Sequence, residues 1–273
     1  SKETAHAIPF TVMIENLSTI RPQSGLSKAS VVYEALAEGG ITRFLVVFAG
    51  KEISKIGPVR SARNYYMDWA EEFHGVYVHA GGSPSALAAI KSYDFTDLNA
   101  LTSDGKYFSR DKTERAPHNL YTKTDLLNVA RRDKDAESTA SYSPWKFKDE
   151  TGSWIGKTAA DVQDTKDATD KNADSTTSDE LLRQATEITL NFSSIGYTVL
   201  WSYDREANDY KRENGGQPHT DQFTGEQLRA KNIAVAKVKA NPLDASRLEM
   251  ETTAGGDALI FHDGIVIEGK WKK

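Results

Sequence analysis

Four arginines and two carboxylates stand out in the first 63 residues: Arg21, Arg43, Arg60 and Arg63 with Glu34 and Glu38. Glu34 interrupts the apolar run Val31–Leu36, and Arg43 interrupts Ile41–Phe48. A charge inside an apolar strand needs a partner or a task, because uncompensated burial is costly. The two can answer each other as a cross-strand ion pair. Alternatively, Glu34 is a general acid or base with a raised pKa. Glu38 lies four residues on, on the same side of an extended chain. A straight strand would hold the two carboxyls roughly 13 Å apart, so a glycoside-cleaving pair, which needs about 5–10 Å, requires a bend at Gly39-Gly40.

Arg60 and Arg63 lie three apart in GPVRSARNYY, at the entry of an expected helix. That end of a helix is already partly positive, so two cations there call for something negative. Glu34, Glu38 or Asp68 can supply it from within, or a bound phosphate or carboxylate from outside. HAGGSP, residues 79–84, reads as strand, turn and helix start. Ser83 is a candidate nucleophile near His79, but Ser-Pro is also a helix cap, and the flanking glycine of a nucleophile elbow is missing. RAPHNLYT, residues 115–122, gathers His118 and Asn119 in a loop, either to bind ligand or to fasten the loop. Arg21, which opens the turn Arg21–Gly25, completes the candidate ligand-binding set.

A metal site built from His79, His118 and Asp111 lacks any HExxH or HxH spacing, so none is expected. No cofactor is expected either: there is no Walker loop, no GxGxxG after a strand and no cysteine. In the second half, YDREANDYKRENGGQPHTD concentrates Tyr203, Asp204, Tyr210, Arg212, His219 and Asp221. The bland reading is a hairpin whose polar side chains brace a loop.

The elements that must position these groups follow from patterning. Strands are expected at Thr11–Glu15, Ser30–Ala37, Ile41–Phe48 and Val76–His79, with a hairpin across Gly39-Gly40. Helices are expected over Ser61–Phe73, after Ser83-Pro84, and over Thr124–Arg132. Residues 157–185 hold no aromatic and read as a solvated excursion. Beyond them the chain is rich in strand patterns, with a strong hairpin turn at Asp263-Gly264. The expected fold is α+β: a mixed α/β domain over 9–145 that carries the candidate site, a polar linker over 146–185, and a β-rich domain over 186–273.

Composition narrows the classes. The 273 residues are 38% hydrophobic and 27% charged, which suits a packed core under a solvated surface. A net charge of −5 argues against a nucleic-acid partner. Zero cysteines exclude disulfides and thiol chemistry within these residues. No apolar run approaches the roughly 18 residues of a membrane span. The chain opens Ser1-Lys2-Glu3-Thr4 without an initiator Met, which reads as a processed or trimmed form.

The motifs IRPQSGLSKASVVYEALAEGGITRF, GPVRSARNYYMDWA, VYVHAGGSP, RAPHNLYT, YDREANDYKRENGGQPHTD and GKWKK occur in this order. Together they resemble the bacterial YerB-like lipoproteins, a family of unknown function, over nearly all of residues 9–273. The resemblance implies a lipid-bearing Cys and polar tether ahead of the folded part, hence an extracytoplasmic, membrane-anchored address. It also implies a two-domain arrangement and a further strand beyond Lys273. It supplies no catalytic residues. Three functions stay open: binding an anionic envelope ligand such as a glycan, phosphate-bearing polymer or peptide; hydrolysis of a cell-wall polymer; and docking of an envelope protein.

Overall fold

The structure is a computed structural model, and it describes residues 8–103, 105–136, 150, 152–163, 181–243 and 248–273. The first half is built on a five-stranded mixed sheet. Its strands are β1 (Phe10–Glu15), β2 (Val31–Leu36), β3 (Thr42–Phe48), β4 (Val76–His79) and β5 (Thr96–Asn99), in the order β2-β3-β1-β4-β5. The β2–β3 hairpin across Gly39-Gly40 is antiparallel, as is β3 with β1; β1–β4 and β4–β5 are parallel. The C-terminal ends of three parallel strands therefore share one edge of the sheet, at Glu15, His79 and Asn99.

β1 and β3 are buried along their whole length because both faces are covered. On one face Phe10, Val12, Phe44, Val46 and Val78 pack with Leu127 and Ala130 of helix α3 (Thr124–Asp133). On the other, Met13, Leu45 and Tyr77 pack with Tyr65, Tyr66 and Met67 of α1 (Asn64–Glu71) and Ala86 of α2 (Pro84–Ala89). Ser83 caps α2 by accepting from the Ala86 amide, with Pro84 at the first helical position.

The chain enters β1 close to Gly75. A Cβ built at Gly75 would lie 2.2 Å from the Pro9 carbonyl oxygen, the same oxygen that accepts from the Val76 amide. Gly75→Ala is therefore expected to lower stability by about 2 kcal/mol, as overpacking does, read as a lower urea midpoint with an unchanged slope.

One expected boundary moves. Helix α1 begins at Asn64 rather than Ser61. The Ala62 amide donates to Gly81 O and the Ala62 carbonyl accepts from Ser83, so residues 59–62 are tied into the sheet and stay extended.

After a short ribbon, β6 (Ser109–Arg110) with β7 (Leu120–Tyr121), the second half is dominated by strands. Segment 146–185 is described only in part. There α4 (Ala159–Gln163) forms, and Trp154 and Val162 are buried with Ile265. One sheet holds β8 (Glu187–Asn191), β9 (Thr198–Asp204), β10 (Asp209–Asn214), β11 (Gln217–Pro218) and β12 (Arg229–Ala230). A second holds β13 (Asn232–Ala236) and, after the β14 (Ala240–Pro242) and β15 (Leu248–Met250) ribbon, β16 (Gly256–His262) and β17 (Ile265–Trp271). Asp263 and Gly264, at φ 50° and 83°, form the β16–β17 turn. The two sheets share a core of Ile188, Tyr210, Ile233 and Phe261. The chain is α+β, with the helices mainly in its first half.

The halves pack together. Leu228 joins the core on one face of the first sheet, and Met250 joins the core on the other, with Val238 and Leu248 beside it.

Candidate functional site

The expected site residues separate into two groups. The first lies where β1 ends. Glu15 accepts from Nδ1 of His118, at 3.0 and 2.8 Å to its two oxygens, and Arg60 Nε lies 3.3 Å from Glu15 Oε1. Glu38 binds two guanidiniums: Arg43 Nη2 reaches Oε2 at 3.0 Å, and Arg63 Nε reaches Oε1. Arg43 Nη1 donates to Ser61 O at 3.0 Å. Arg60 feels Arg43, Glu38 and Arg63 as well as Glu15, so the six side chains form one electrostatic group.

Local structure sets this placement. Glu15 and Arg43 sit opposite each other across β1 and β3. Arg60 lies in the extended segment between the ends of β1 and β4, with its amide on Met13 O and its carbonyl on the Ala80 amide. Arg63 is the residue before α1. Glu38 sits in a single helical turn after β2, in which Gly39 and Gly40 take φ 62° and 73°.

Three guanidiniums face two carboxylates, a surplus of one positive charge. Burial alone would raise the Glu38 carboxyl, but Arg43 and Arg63 outweigh it and hold it below the usual carboxylate value. Burial lowers the Arg60 guanidinium, and Glu15 opposes that shift. Arg60 Nε is buried and makes no hydrogen bond of good geometry. Arg60, Arg63, Glu38 and His118 all keep part of their side chains in solvent. With Nδ1–H donated to Glu15, His118 keeps Nε2 free of partners among the described residues.

The second group joins the two halves. Glu34 does not pair with Arg43, which sits opposite Ala35 instead. Its Oε2 accepts from Arg212 Nη2 at 2.7 Å, and Oε1 accepts from Thr42 and Asn16. Both partners of that ion pair are buried, Glu34 at 10% and Arg212 at 6% side-chain exposure. Arg212 Nε donates to His219 Nδ1 at 3.0 Å, and His219 Nε2 donates to Gln23 Oε1 at 2.7 Å. Gln23 passes the chain on to Glu15 O and Asn16 Oδ1. Arg21 donates to Asn16 Oδ1, Asn16 O and Gly196 O and lies over the Tyr197 ring. Glu34 and Glu38 thus serve different groups, and neither is placed as the other's acid/base partner.

The remaining candidates are structural by position. His79 is fully buried, with Nδ1 on Gly81 O and Nε2 on Asp97, each at 2.7 Å. It braces the 79–82 turn. Ser83 is spent on the α2 cap. Asn119 fastens its loop through Asp111 O, Glu114 O and Arg110. Glu15 is to the sequence only the end of a strand, and the reach of Arg212 and His219 into the first half has no local signal. A carboxylate closing an apolar strand was the available signal for Glu15. Among the described residues no group of three His, Cys, Asp or Glu side chains could hold a metal ion, and no helix is long and apolar enough to cross a membrane.

A mixed-sheet α+β half carrying an arginine-rich, partly open group at its strand ends, locked to a β-rich half by a polar seam, defines the class of protein. Comparison with known families places it further. Residues 1–137 match the model described as "Protein of unknown function (DUF3048) N-terminal domain", and residues 188–273 match its C-terminal domain. The chain belongs to this family. It is 33% identical over 266 residues to "Putative lipoprotein YerB" of Bacillus subtilis (strain 168), covering 97% of this chain and 73% of that protein. The crystal structure of YerB from Bacillus subtilis superposes with a TM-score of 0.80 at 29% identity, covering 100% of this chain and 84% of that one.

Proposed function

We propose that this chain is the extracytoplasmic part of a lipid-anchored envelope protein that binds a phosphate-bearing polymer through Arg60, Arg63 and His118. The observation that carries this reading is the unbalanced charge at the end of β1, where Arg60 Nε is buried and poorly satisfied and His118, bound to the same Glu15, keeps Nε2 free among the described residues. Guanidiniums suit phosphate because their forked N–H groups match its oxygens. Partial burial lowers the local dielectric, so one surplus charge attracts more strongly here than on an open surface. The lipoprotein name of the Bacillus subtilis relative supports the address.

Titration calorimetry with poly(glycerol phosphate) tests the reading. Saturable binding that weakens with salt and falls at least tenfold in Arg60→Gln is expected. An unchanged affinity in that variant would sink it.

One observation favours hydrolysis as a second reading. A Glu15–His118 pair fixes the imidazole tautomer and leaves Nε2 available to take a proton from water. Fragments released from purified cell walls by the wild type, but not by His118→Gln, would select it over simple binding.

A further inference from the structure

A cleft of about 320 Å³ lies at the junction of the two halves and is lined by Arg21, Gly196, Asn214, Gly215 and His219 among others. It is separate from the Glu15 group and adjoins the seam, sharing Arg21 and His219 with it. Asn214 is 4% exposed, on the same face of β10 as Tyr210 and Arg212. Among the described residues neither its amide nitrogen nor its carbonyl oxygen has a hydrogen-bond partner. A buried primary amide left wholly unused is rare and unfavourable. Its natural complement is another amide, which offers one donor and one acceptor in return.

Arg21 supplies the rest of the recognition. Of its five N–H groups, three are spent on Asn16 and Gly196. Among the described residues no carboxylate lies within ion-pair distance of it. Burial lowers its pKa only from a very high value, so it stays cationic. Gly215, at φ 63°, follows Asn214 directly, and a Cβ there would come within 3.3 Å of Arg21 Nη1. Glycine keeps a side chain off the guanidinium in the cleft that Asn214 and Arg21 both line.

We infer that this cleft binds the C-terminal end of a peptide, with the free carboxylate on Arg21 and the last peptide unit on the Asn214 amide. The cleft volume is at the small end for ligand sites, so two residues is the natural length. Nothing in this assignment depends on what the Arg60 group binds.

The test uses the whole chain and N-acetyl-dialanine, followed by NMR of the Asn214 side-chain amide and by calorimetry. Saturable shifts of that amide are expected with the free acid, at least tenfold weaker binding with the C-terminally amidated analogue, and unchanged binding in Arg60→Gln. Asn214→Leu is expected to lose binding while its Tm rises by about 2–4 °C, because an unpaired buried amide is replaced by an apolar group. Three results would each overturn the proposal: no saturable binding at millimolar peptide, equal binding of the amidated form, or a lowered Tm with binding intact in Asn214→Leu.

Discussion

Arg212→Ala is expected to destabilise the protein by about 3–5 kcal/mol, the range for removing one partner of a buried ion pair. The Glu34 carboxylate would stay buried with only Asn16 and Thr42 to satisfy it, and His219 Nδ1 would lose its donor. A double-mutant cycle with Glu34→Gln, measured by urea denaturation, separates the pair from its surroundings. Strong coupling between the two substitutions is expected. Independent, additive effects would show that Arg212 acts through packing on Phe44 and Trp201 instead.

Acid should loosen the same seam. Burial, then Arg212 and Arg21, push His219 well below the ordinary imidazole value of 6.5. The folded protein keeps it neutral, accepting from one arginine and donating to Gln23. The unfolded chain takes up a proton below about pH 6.5, so stability is fully present above that pH and falls beneath it. The slope approaches about 1.4 kcal/mol per pH unit, and the loss between pH 7.5 and 5 is about 2 kcal/mol. His219→Gln can repeat both hydrogen bonds without titrating. Its stability relative to wild type should therefore rise by that amount over the same range. Parallel pH curves for the two proteins would rule out His219 as the source.

How much of this was readable beforehand depended on range. β1 to β4, the Gly39-Gly40 hairpin, α3 and the Asp263-Gly264 turn follow from local periodicity and turn chemistry, and the structure has them. The start of α1 was not readable, because Ala62 is held by Gly81 and Ser83 from a distant strand end. Glu34 was readable as a charge needing a partner, and Arg43 was the nearest choice in sequence. The partner came from 178 residues away, a separation that no period or propensity encodes. Arg60 and Arg63 were legible as cations needing a negative partner, with Glu34, Glu38 and Asp68 all open; Arg63 meets Glu38, and Arg60 meets Glu15. Glu15 was not, since a terminal carboxylate on a strand is ordinarily solvated.

The grip of the second half on both faces of the first sheet bears on biosynthesis. The chain emerges from the ribosome N-terminus first, so β1 to β5 exist well before Leu228, Met250 and Arg212 do. Until those residues arrive, Glu34 on edge strand β2 lacks Arg212, and both faces of the sheet lack part of their apolar cover. Exposed apolar faces of this kind favour aggregation in a partly made chain. The first half reaches its final packing only when the second is present to cover it.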